Sequence, residues 1–176
     1  MAVDIVAYIL LGLLVLAIIV AAPFLRRWTN DRAAAAGEKA GRRYTAGRLT
    51  DVLRELGTTV VVDAPEQTVR DLLTAAVAAR PRDFSSRSDG GYGIRFVEDD
   101  DTVVRVVADP AGTRMQVETF REYLGFPQTA PQWTALRTLL ADSAAERGID
   151  TAEGPHLEYL RGALLDPRNA RWTLDR

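Results

Sequence analysis

Four residues in neighbouring β segments, Arg95, Arg105, Gln116 and Glu118, are the constellation in this chain best suited to recognising a charged group. A guanidinium is permanently charged and presents forked donors to a carboxylate or phosphate, which an amide or ammonium cannot copy. Two arginines facing each other across a sheet repel unless a carboxylate joins them, and Glu118 lies diagonally within reach of both. The same four residues also suit a solvated sheet face or a protein interface. Other chemistry is sparse. His156 is the only histidine and the chain has no cysteine, so thiol catalysis, disulfides and thiolate metal sites are excluded. Asp99-Asp100-Asp101 lacks the spaced ligands, glycine and distal glutamate of a calcium loop and reads as a solvated hairpin tip. Asp89-Gly90-Gly91-Tyr92-Gly93 is glycine-rich, but no helix follows to aim amides at a phosphate. Asp83, Glu118, Glu122 and Asp142 are carboxylates without paired spacing. No catalytic, cofactor-binding or metal-binding residue is assigned, and no cofactor is implied.

The elements that must hold these residues follow from periodicity and turn chemistry. Leu49, Val52, Leu53 and Leu56 recur at helical spacing and Gly57 stops them. Thr58 to Val62 is a β-branched strand, apolar on both faces and therefore internal. Asp63-Ala64-Pro65-Glu66 predicts a capped helix start, with Val69, Leu72, Leu73, Ala76 and Val77 as its buried stripe and Arg80-Pro81 as its end. Strands are predicted at Phe84 to Arg87, Tyr92 to Glu98, Thr102 to Asp109 and Thr113 to Tyr123, separated by Asp/Gly/Pro turns. A helix then starts at Thr129-Ala130-Pro131-Gln132, buries Trp133, Leu136, Leu140 and Ala144, and ends at Gly148. Trp133, Tyr123 and Phe126 are expected to pack at the preceding corner. After Asp150 the pattern weakens, and His156 to Leu165 reads as a short helix in a tail.

Register sharpens the sheet. With the three aspartates as a loop, Ile94 should face Val106 and Phe96 should face Val104. With Pro110-Ala111 as the next turn, Val106 should face Met115 and Val104 should face Val117. One apolar face results, as a correct register requires, and Arg95, Arg105, Gln116 and Glu118 share the other.

Ahead of all this lies an uncharged run from Ile5 to Leu25, closed by Arg26-Arg27-Trp28. At a rise of ~1.5 Å per residue, about 20 helical residues cross the ~30 Å hydrocarbon core. A cleaved signal peptide would need a basic stretch ahead of the run, where only Asp4 is charged. Arg26, Arg27, Arg32, Lys39, Arg42, Arg43 and Arg48 follow it, so the N-terminus is expected outside and the remainder in the cytoplasm, at the inner membrane. The net charge of -2 conceals this basic flank followed by an acidic remainder, which argues against a nucleic-acid partner. The implied organisation is a tail over 1–4, a transmembrane helix over 5–25, a basic linker over 26–47, a cytoplasmic α+β domain over 48–149 and a tail over 150–176.

The run Thr59-Val60-Val61-Val62-Asp63-Ala64-Pro65-Glu66-Gln67-Thr68-Val69, with antiparallel strands and a long helix over Gln132 to Arg147 after it, resembles START-like (polyketide cyclase-like, helix-grip) domains. The Ala/Arg/Asp bias resembles small membrane-anchored actinobacterial proteins. The resemblance implies a helix-grip-like sheet packed by helices, whole or truncated, and a hydrophobic ligand cavity, with no universal catalytic residue. The function expected is a single-pass membrane protein with a cytoplasmic, non-catalytic binding or interaction domain. Its partners would be the lipid bilayer and another membrane protein or an apolar ligand. A START-like binder of a lipid or apolar metabolite, and an enzyme acting on a membrane-associated substrate, are the alternatives.

Overall fold

In the computed structural model residues 46–175 are described, and the chain divides into two units, Met1–Gly47 and Arg48–Arg176. The expected span over 5–25 and most of the basic linker lie outside the described residues. Among those described, no helix is long and apolar enough to cross a membrane.

A single long strand organises the second unit. β5 (Gly112–Tyr123) pairs along one edge with β4 (Thr102–Asp109). Its other edge is shared: β1 (Val60–Val62) bonds its beginning and β9 (Asn169–Leu174) its later part. β2 (Phe84–Ser86) and β3 (Tyr92–Ile94) extend the sheet beyond β4, and β7 (Thr151–Glu153) extends it beyond β1. β6 (Phe126–Pro127) closes a hairpin on the end of β5, and β8 (Tyr159–Asp166) pairs with β9 alone. The result is a nine-stranded sheet with every pairing antiparallel. One face carries the helices: α1 over 46–57, α2 (Glu66–Ala79) and α3 (Ala130–Ala145).

Helix stripes are as the periodicity predicts. α2 buries Val69, Leu72, Leu73, Ala76 and Val77, and α3 buries Trp133, Leu136, Leu140 and Ala144 with Ala130. These pack on Ile94, Val104, Val106, Met115, Val117 and Phe120 from the sheet. Fully burying each large side chain contributes ~1.5–3 kcal/mol, so this layer is the main source of stability. The Trp133 indole N–H donates to the Thr58 carbonyl at 3.1 Å, so the large ring leaves no unpaired donor in the core. The start of α2 differs from the expected capping box. Pro65 is the capping residue, no side chain caps the helix, and Glu66 bonds Arg70 one turn on.

Between β4 and β5 the expected register holds, with Val106 opposite Met115 and Val104 opposite Val117. Between β3 and β4 it does not. Tyr92 faces Val104 and Ile94 faces Thr102, because β3 ends at Ile94 instead of running to Glu98. The cause is the Asp101 side chain. Its Oδ2 accepts the amides of Phe96, Val97 and Glu98 at 3.2, 2.6 and 2.8 Å, pulling that segment out of strand pairing and over the sheet. Asp101 is 1% exposed, so the acidic run is a folded loop at this residue and not a solvated tip.

The expected tail after Asp150 is likewise corrected: residues 151–174 hold β7, β8 and β9, and His156 to Leu165 contains no helix. Phe120 stacks on Trp172 with ring centroids 5.8 Å apart, and edge-on against Tyr159 at 4.9 Å. A bulge at Glu118 makes this possible. Val103 faces Thr119 while Val104 faces Val117, so Glu118 is the extra residue and inward positions switch from Met115 and Val117 to Phe120 and Glu122.

Candidate functional site

The outer sheet face, opposite the helices, holds three of the four residues singled out by their types. Arg105 lies on β4 opposite Gln116 on β5. Its Nε donates to Glu118 Oε2 at 2.7 Å, the diagonal pairing expected from the sequence. Arg95 is elsewhere. With β3 ending before it, Arg95 lies in the loop that follows and pairs with Asp99.

Asp89 takes the place expected for Arg95. Arg105 Nη2 donates to Asp89 Oδ2 at 3.0 Å and Arg105 Nη1 to the Asp89 carbonyl at 3.1 Å. Arg87 pairs with the same carboxylate at 3.3 Å and reaches Asp100 at 3.9 Å, and Asp100 meets Arg171 of β9 at 3.4 Å. The face is therefore a chain of alternating charges, from Glu118 through Arg105, Asp89, Arg87 and Asp100 to Arg171. Arg105 and Arg87, with the Gly91 amide, hold the Asp89 carboxyl well below the usual carboxylate range. Asp89 and Glu118 in turn raise the Arg105 pKa. Gln116 accepts from Arg114 Nε at 3.0 Å, and Arg114 pairs with Asp109 at 3.2 Å. An arriving anion would have to displace carboxylates already seated.

Asp89 carried a legible sign. Gly91 immediately precedes β3 and Gly93 lies within it. A Cβ on Gly91 would lie 2.7 Å from Arg105 Nη1, and one on Gly93 would lie 2.0 Å from the Asp99 carbonyl. Glycines in strand interiors mark such close approaches. Here they open the trough in which Arg105 reaches Asp89 and over which the 95–101 loop folds.

Of the other carboxylates weighed as acids or bases, Glu122 is the informative one. It is 1% exposed on the inner face and satisfied at both oxygens. Oε1 accepts from Arg161 Nη2 and from the Ala170 amide at 3.1 Å. Oε2 accepts from Arg161 Nε at 3.1 Å and from Trp172 Nε1 at 2.9 Å. Burial pushes its pKa up, but the donors of Arg161, Trp172 and Ala170 outweigh burial and hold it below the ordinary glutamate value. A carboxylate so engaged has no oxygen left for proton transfer; it clasps the β8–β9 hairpin to β5. Its neighbour Tyr159 spans the same region, its hydroxyl lying 3.1 Å from the Leu56 carbonyl and 3.0 Å from that of Val117. Burial drives the Tyr159 pKa far above the ordinary phenol value. His156 is exposed, beside Gly57.

A ligand cavity of the helix-grip kind would lie between the sheet and α3. That space is filled by Trp133, Leu136, Leu140, Met115 and Phe120, all at 0% exposure. Open grooves occur on the rim. One, about 590 Å³, runs along the Asp109–Gly112 turn and β7. A second, about 340 Å³, lies between α1 and the start of α3. Among the described residues no cluster of three or more His, Cys, Asp or Glu side chains is placed to hold a metal. Comparison with known proteins gives no match to any family model, curated protein or solved structure.

Proposed function

We propose that this chain is a single-pass membrane protein whose folded unit is a non-catalytic binding or interaction domain on the cytoplasmic side. The observation that carries the reading is a juxtaposition. An uncharged run long enough to span a bilayer precedes a domain whose interior is filled and whose buried carboxylates, Asp101 and Glu122, are consumed in holding it together. An enzyme would need convergent polar groups with capacity to spare. A binder of apolar molecules would need a volume of ~300 Å³ or more beneath α3. The filled layer of Trp133, Leu136 and Leu140 weighs against the second, and the satisfied carboxylates weigh against the first.

Reporter fusions to the C-terminus of the full chain test topology. A reporter active only in the cytoplasm should give signal, and alkaline phosphatase should not. Moving Arg26 and Arg27 ahead of Asp4 should weaken or invert the preference, because flanking cations set orientation. Strong phosphatase activity, or a mature chain beginning near Pro23, would overturn the reading.

A further inference from the structure

We infer that the far end of β5 is a bilayer-docking rim, at which the folded domain rests on the membrane that anchors it; this rests on the anchor proposed above. Three separate pieces of chain meet there and each presents apolar side chains to solvent. Phe96 and Val97, 47% and 57% exposed, come from the loop tied by Asp101. Leu124, 72% exposed, is the tip of the β5–β6 hairpin. Leu164 and Leu165, 56% and 47% exposed, lie beside the β8–β9 turn. Their adjacency is set by specific links: the Phe96 ring packs 5.4 Å from Tyr123, and the Leu124 amide donates to Asn169 Oδ1 at 2.8 Å.

Leu124 is the telling member. It has φ +54 and is followed by Gly125 at φ +81. Two successive positive-φ residues make the tight hairpin turn that Asn-Gly forms without strain. A bulky leucine there is disfavoured and leaves its side chain in water. It gains nothing from the fold, so the preference it serves lies outside the domain.

The position of the tether supplies the occupant. The chain carrying the apolar run enters the folded unit at Arg48, whose guanidinium lies 5.7 Å from the Phe126 ring of that same hairpin. A domain tethered at this end holds the rim at high effective concentration over the bilayer, so weak insertion of a few side chains suffices. Rim cations such as Arg95 and Arg171 are already paired with Asp99 and Asp100, so apolar insertion and not charge should dominate.

The absence of cysteine makes the test direct. In the full chain reconstituted into phosphatidylcholine/phosphatidylglycerol vesicles, Val97→Cys or Ala111→Cys is labelled with an environment-sensitive fluorophore. Ala111 sits in the turn at the opposite end of β5. The label at 97 should shift to the blue and be quenched by lipids bearing a nitroxide near the headgroup, at low and high salt alike. The label at 111 should do neither. Adding Leu124→Asn should relieve the quenching at 97 while leaving the thermal unfolding midpoint unchanged or higher, which separates docking from folding. Equal quenching at both positions would overturn the rim. Quenching that disappears in high salt would assign attachment to the basic flank instead. Energy transfer between labelled copies without lipid quenching would make this end an interface between copies. Each of these leaves the anchor standing. Extraction of the chain by alkaline carbonate would sink the anchor and the rim together.

Discussion

The two stretches of β5 are held by opposite means. Near its beginning β5 pairs with β1 through the backbone, and its inward side chains Met115 and Val117 pack in the apolar core with α2 and α3. Near its end Phe120 and Glu122 meet β8 and β9 through stacked rings and a buried carboxylate with four donors. Apolar packing tolerates small errors, because its energy follows area and has no direction. The clasp is all or nothing, since a buried charge that loses one partner is left uncompensated. The first part should therefore yield gradually to substitution and the second abruptly.

The largest effect should come from the first part. Trp133→Ala should destabilise the domain by ~4–5 kcal/mol in chemical denaturation, since it empties the space beneath the sheet and frees the Thr58 carbonyl. Glu122→Ala should cost ~3 kcal/mol and strand the Trp172 and Ala170 donors. If the two halves differ as argued, hydrogen exchange in Glu122→Ala should speed up in β8 and β9 well before α2. Uniform acceleration would show that the clasp is not a separate cooperative unit. Asp101→Ala should cost ~2 kcal/mol, because three amides lose their acceptor. A change within ±0.5 kcal/mol would return Asp101 to the status of a solvated loop residue.

Smaller effects report on titration. Tyr159→Phe should cost ~1 kcal/mol through loss of its hydroxyl's hydrogen bonding to Leu56 and Val117. Because the folded state raises this phenol above its ordinary value of 10.0, its contribution is intact below that pH and declines as pH rises past it. Wild type should lose stability above pH 10 and Tyr159→Phe should lose less. Glu122 has the opposite sign. Its folded pKa lies below the ordinary 4.5, so its contribution is complete above that pH and falls away as acidification proceeds through the lowered value. Smallest of all is Arg105→Gln, expected to cost ~0–1 kcal/mol because the pairs it breaks are partly exposed. Unchanged recovery of partners from solubilised membranes would then confirm that this charged face only staples the sheet to itself.

Legibility in the sequence follows the same division. The stripes of α2 and α3 and the β4–β5 register were readable because apolar periodicity states which side is buried. Three features escaped. Asp101 and Glu122 are residue types that ordinarily face water, and nothing local distinguishes a carboxylate that will gather three amides or draw an exposed arginine over itself. The β8–β9 hairpin has weak alternation because β8 is an exposed edge, and its large buried anchor, Trp172, depends on Phe120 more than fifty residues earlier. The bulge at Glu118 reversed parity midway along β5, so a strict two-residue period could not carry the pattern to Glu122. The candidate face was half legible. Arg105 with Glu118 was anticipated from diagonal spacing, whereas Asp89 entered through a register that only the Asp101 loop explains.

The place of β9 in the chain has a consequence for synthesis. Glu122 and Phe120 leave the ribosome well before Ala170 and Trp172, so the nascent domain must pass through a stage in which a carboxylate and an aromatic ring wait on an open sheet edge. Any chain released between α3 and Asn169, through a premature stop or a proteolytic nick, keeps that edge bare and its charge unmatched. Until β9 docks, the later edge of β5 is unpaired and Glu122 lacks its Ala170 and Trp172 donors.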